Sequence, residues 1–164
     1  MIGLKRILVP IDFGETSQAA LQYGVALTRA FNARLYLLHV PDHPGVAAEA
    51  EYPIGLLETM QNAAHDRLGH LLADTEARDL RPECAMRLGT PSDEIVAYAE
   101  DQNIDLIVMG THGREGVARV FAGSVAETVV RRARCPVLTV HHPEHEFVRP
   151  DEAVDPSMRA RATA

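Results

Sequence analysis

The chain has 164 residues, enough for one domain with a core that needs no staples. Apolar residues make up 46% and charged residues 24%, but there is no Trp and aromatics are only 5%, so the core must be aliphatic. With 16 basic against 23 acidic residues the net charge is −7, which argues against sequence-independent nucleic-acid binding.

In chain order, Ile7, Leu8, Val9, Pro10 and Ile11 form a short apolar run that ends at Asp12. Ala20, Leu21, Gly24, Leu27 and Phe31 then recur at helical spacing. Residues 35–40 form a second run, rich in Leu and ending at Val40. Residues 41–54, with three prolines, make a long connection of the kind that is usually functional or disordered. Leu57, Met60, Ala64, Leu68, Leu71 and Leu72 predict a second helix, and residues 83–88 alternate as a weaker strand. Thr90, Pro91 and Asp93 predict a helix start, with a capping hydroxyl, a proline at the first helical position and an acid at the third. Ile95, Val96 and Ala99 continue that helix, and residues 104–109 form the fourth run. Ser124 and Glu127 match a capping box ahead of Val125, Thr128 and Val129. Residues 136–140 give the last strand, and residues 141–164 read as a polar tail with three prolines.

Strands therefore alternate with helices, and the continuous apolar runs suit strands buried on both faces. The expected fold is a single α/β sandwich with a parallel sheet and right-handed crossovers, occupying residues 1–140. The two cysteines, Cys84 and Cys135, are isolated thiols, which suits a reducing compartment and small apolar packing better than nucleophilic chemistry. No signal-peptide pattern and no apolar stretch of about 20 residues is present, so the expected location is the cytoplasm, not the membrane.

The chemically informative stretch follows the fourth run. Gly110 and Gly113 are separated by two residues, and nine more lead to Gly123-Ser124. Gly110 is expected to let the chain leave the strand in a backbone conformation that a Cβ would obstruct. Gly113 keeps the backbone open to something the size of a phosphate. Gly123 and Ser124 stand at a helix start, where unpaired N–H groups and the helix dipole favour an anion. Net acidity does not disqualify such a site, because backbone makes most of the contacts. If the first and fourth strands are neighbours, Asp12 faces Gly110 across the switch point of a doubly wound sheet. There it could accept from ribose hydroxyls or hold a metal through water. Its bland alternative is a turn or cap before the helix near Thr16 and Ser17. Val40 could present its backbone to an adenine edge. A P-loop lysine is missing after Gly113 and Gly123, and a dinucleotide fingerprint is missing after the first strand. The run Arg131, Arg132 and Arg134 complements a helix C-terminus, and His141, His142 and His145 do not suffice to assign a metal.

Over about residues 3–140 the chain resembles the universal stress protein family. The most specific element is that family's nucleotide-binding signature, the glycines at this spacing ending in Gly-Ser or Gly-Thr. Further matches are the segments from Lys5 to Asp12, from Leu88 to Pro91, from Asp105 to Gly110 and from Arg134 to Leu138. The resemblance implies a five-stranded parallel sheet in the order 3-2-1-4-5, and a homodimer. Members with the signature look like ATP binders. Carried over by position, Pro10, Ile11, Asp12 and Val40 would line the adenosine side. Met109, Gly110, His112, Gly113, Arg114, Gly123, Ser124 and Val125 would line the phosphate side. One departure is Phe13-Gly14 after Asp12, where the family often has a glycine or polar pair, which bears on the ribose edge.

The expected function is an ATP-dependent signalling module in stress response, with no catalytic residue assigned. ADP or AMP are the alternative ligands, and Mg²⁺ or Mn²⁺ would accompany the phosphates, held mainly by phosphate oxygens and water. His112 and Arg114 keep open a slow ATPase or a nucleotidyl or phosphoryl transferase. The tail and the 41–54 connection keep open a regulatory subunit of a membrane transporter, and the protein partner is not identified. Residues 136–140, an apolar sheet edge, call for cover by a second copy, with higher oligomers also open.

Overall fold

The computed structural model describes residues 3–41, 55–73, 76–111 and 124–141. Five strands, β1 (Arg6–Pro10), β2 (Arg34–His39), β3 (Glu83–Met86), β4 (Leu106–Gly110) and β5 (Val137–Val140), form one parallel sheet in the order β3-β2-β1-β4-β5. The helices are α1 (Glu15–Phe31), α2 (Leu56–Ala73), α3 (Pro91–Asp101) and α4 (Ser124–Arg132), with a short 3-10 turn at Glu76–Leu80 before β3.

The two-residue period of a strand sorts the core into two layers. In β1, Ile7 and Val9 join Leu35, Leu37, Leu106 and Val108 against α1 (Ala20, Leu21, Val25) and Leu68 of α2. Leu8 points the other way. It joins Tyr36, Leu38, Ile107 and Met109 against α3 (Ile95, Val96, Ala99) and α4 (Ala126, Val129). Both faces of the central strands are covered, which is why they read as continuous apolar runs. Gly24 lets α1 sit down on β1, since a Cβ there would lie 2.5 Å from the Val9 side chain. Arg132 of α4 pairs with Asp93 of α3 across the second layer.

The helical stripes need adjustment at their ends. Phe31 is exposed, because α1 ends there and Asn32 turns the chain in the left-handed region. Leu57 is also exposed, and α2 anchors through Ala64 and Leu68. In α4 the buried residues are Ala126 and Val129, while Thr128 is only partly buried. Thr90 is the N-cap of α3, but its hydroxyl makes no capping bond. Its carbonyl instead accepts the amides of Asp93 and Glu94, each at 3.0 Å. Glu127 pairs with Arg131 at 2.8 Å, and the side chain of its capping-box partner Ser124 lies outside the described residues.

β4 starts two residues later than its apolar run. Asp105 is occupied in tying strand starts together: its carboxylate accepts the amides of Lys5 and Arg6 at 2.8 and 2.9 Å. Pro136 has no amide to give a ladder, so β5 begins at Val137, although the Pro136 carbonyl accepts from Ile107 at 3.0 Å.

Candidate functional site

The site forms where the strand order reverses. β1 pairs with β2 on one side and with β4 on the other, and α1, which follows β1, packs on the opposite face of the sheet from α4, which follows β4, so the carboxyl ends of β1 and β4 mark the switch point at which doubly wound folds hold ligands. Pro10 ends β1, and Ile11 is buried, donating its amide to Leu38 at 2.8 Å. Met109 and Gly110 end β4, with Met109 in the α3/α4 layer. Val40 follows β2 and is buried in the same layer.

Asp12 stands at this edge and carries part of the turn role. Its Oδ1 accepts the amide of Gly14 at 2.8 Å, an Asx turn that leads into α1, whose N-cap is Gly14. Among the described residues Oδ2 takes no further donor, so the second oxygen keeps its acceptor capacity. The Gly14 carbonyl accepts from Gln18 N at 3.1 Å and Ser17 Oγ at 2.9 Å, which closes the first turn of α1.

Gly110 departs from its expected reason. It is not in the left-handed region, so no special exit conformation demands glycine. A Cβ at Gly110 would instead stand 2.8 Å from the backbone carbon of Thr16 and from its side chain. The glycine admits the first turn of α1 against the end of β4. Thr111 is buried, and its amide donates to the Val140 carbonyl at 3.0 Å. Its hydroxyl lies 2.6 Å from His141 Nδ1.

Val125 is partly buried in α4, whose first residue is Ser124. His112, Gly113, Arg114 and Gly123 lie outside the described residues, as do residues 42–54 and 142–164.

Phe13 was named from the sequence, but not the two side chains that pack on it, Arg67 and His39. Phe13 has a positive φ of 65°. The guanidinium of Arg67 in α2 lies 3.8 Å from the Phe13 ring centroid, and the His39 ring meets it edge-on at 4.7 Å. His39 Nδ1 is 2.7 Å from the Ile11 carbonyl, which fixes that nitrogen as the donor. The departure at Phe13 was the only signal in the sequence. Nothing in the spacing links it to His39 or Arg67.

Away from the switch point, the thiols of Cys84 and Cys135 are pushed up by partial burial, which works against thiolate chemistry. Among the described residues no helix is long and apolar enough to cross a membrane.

The strand order and the helices on both faces define a doubly wound α/β domain with its switch point between β1 and β4, a class of fold that holds ligands at the carboxyl ends of its strands. The model of the universal stress protein family matches residues 3–141, and the chain belongs to that family. It is 34% identical to universal stress protein MJ0531 of Methanocaldococcus jannaschii, over 87% of this chain and 85% of that one. The solved structure of protein MJ0577 from the same organism is 30% identical and superposes with a TM-score of 0.72, covering 88% of this chain and all of the other. A crystal structure of a universal stress protein in complex with cAMP is 25% identical, with a TM-score of 0.55 over 85% of this chain and 98% of the other.

Proposed function

We propose that this chain binds an adenine nucleotide, ATP with Mg²⁺ or Mn²⁺, at the switch point between β1 and β4, and acts as a nucleotide-dependent regulatory module. The observation that carries this reading is that Asp12 follows β1 and Gly110 ends β4, the two paired strands at the switch point, with one Asp12 oxygen used in the turn and, among the described residues, the other able to accept. The relative in complex with cAMP supports an adenine ligand in this family, and ADP, AMP and cAMP are the competing ligands to compare. Pro10, Ile11, Asp12 and Val40 would line the adenosine side. Met109, Gly110, His112, Gly113, Arg114, Gly123, Ser124 and Val125 would line the phosphate side. The metal would be held by phosphate oxygens and water.

The globular unit of this reading is residues 1–140, with residues 141–164 as an appended polar tail in a cytoplasmic protein. A second copy would cover β5. Among the described residues that strand has a neighbour only on its β4 side, and Leu138 is exposed.

Equilibrium binding with labelled ATP tests the site. Saturable binding by the wild type that is lost in Gly113→Val supports it; no saturable binding, or equal binding by the variant, overturns it. Mass spectrometry of the small molecule that co-purifies separates ATP from ADP, AMP and cAMP.

A further inference from the structure

Phe13 sits in a backbone region where glycine is at home and an aromatic residue is not. Packing holds it there. Arg67 covers its ring face from α2, His39 meets its edge from β2, and the ring is half-buried against the α1 layer. His39 also grips the other side of Asp12 through the Ile11 carbonyl. Both chain neighbours of Asp12 are therefore tied to one side chain of β2. The Asp12–Gly14 hydrogen bond spans Phe13, so the backbone angles of Phe13 set where the Gly14 amide stands and how the carboxylate is turned.

We propose that Phe13, clamped by Arg67 and His39, is a positioning residue that aims the second oxygen of Asp12, Oδ2, at the ribose hydroxyls, and so sets the preference for a ribonucleotide over a sugar lacking them. The proposal rests on the nucleotide site proposed above. A carboxylate already locked by its turn loses little freedom when the sugar arrives, so its hydrogen bonds to the hydroxyls appear nearly in full in the affinity. A sugar without hydroxyls gains nothing from that locking. The affinity ratio between the two ligands therefore reads the clamp, whereas a general loosening of the fold weakens both.

The test compares ATP with dideoxy-ATP, which lacks both ribose hydroxyls, by equilibrium binding with Mg²⁺ present. The wild type is expected to favour ATP by about tenfold, the size of one charge-assisted hydrogen bond. Phe13→Gly keeps the backbone region accessible and removes the ring, so it guards against simple misfolding. It should bring the ratio down to that of Asp12→Asn, with dideoxy-ATP affinity unchanged within about twofold. Phe13→Tyr should retain the wild-type ratio, and Arg67→Met should fall between. A wild-type ratio in Phe13→Gly overturns the clamp while leaving the nucleotide site standing. Absence of saturable ATP binding by the wild type overturns the site reading itself, and the clamp with it.

Discussion

Gly110 at the end of β4 and Thr16 in the first turn of α1 approach so closely that a Cβ on the glycine would lie 2.8 Å from the Thr16 backbone carbon. The contact is with main chain, which cannot swing aside as a side-chain tip can. Gly110→Ala is therefore expected to lower stability by about 1–3 kcal/mol, the usual cost of overpacking, and Gly110→Val by more. Denaturant midpoints at unchanged slope would measure it. A neutral alanine variant would mean that α1 can slide away from β4.

Helix α2 buries only Ala64 and Leu68, and Leu68 is 1% exposed. Leu68→Ala should cost about 2–5 kcal/mol, a cavity in the α1/α2 layer. Leu57→Ala, on an exposed leucine of the same helix, should stay within about 0.5 kcal/mol. The contrast between the two, read by thermal or urea unfolding, checks which face of α2 is anchored.

Tyr98 has its phenol pushed up to about 12, chiefly by burial and then by the nearby Glu83 carboxylate, with Arg87 acting in the opposite sense. The folded form thus prefers the neutral phenol more strongly than the unfolded chain does. The stability this brings is complete below pH about 10, the ordinary tyrosine value, and is lost as pH rises towards 12. Ultraviolet titration should show one tyrosine ionising late, together with alkaline unfolding. In Tyr98→Phe the late step should disappear and the loss of stability above pH about 10 should flatten.

At the β5 edge, Leu138 is exposed on a strand paired only with β4 among the described residues. If a second copy covers that edge, Leu138→Lys should convert a dimer to a monomer by light scattering. Its effect on the stability of the subunit should stay within about 0.5 kcal/mol, as for other surface changes. A monomeric wild type at micromolar concentration would remove this interface.

Much of the architecture is legible without coordinates because burial on both faces leaves a continuous mark. The runs around Leu8, Leu37 and Ile107 carry apolar residues at consecutive positions, which marks central parallel strands, and all three residues are fully buried. The ends of elements were less legible, because end positions answer to partners distant in sequence. Asp105 lies just before β4 and gives its carboxylate to the amides of Lys5 and Arg6 at the start of β1, and Phe31 closes a stripe whose helix has already reached solvent.

The candidate site divides along the same line. Sequence determined which residue types gather at the strand ends: an aspartate after β1, a glycine at the end of β4 and an aliphatic residue after β2. It did so because strand, turn and helix-start chemistry are local. Only the tertiary structure decided what those residues do for one another. A Cβ at Gly110 would run into Thr16, and Phe13 beside Asp12 is contacted by His39 and Arg67 from two other elements. Those relations depend on distances between segments tens of residues apart, set by the packing of two layers against one sheet, and no local pattern encodes them.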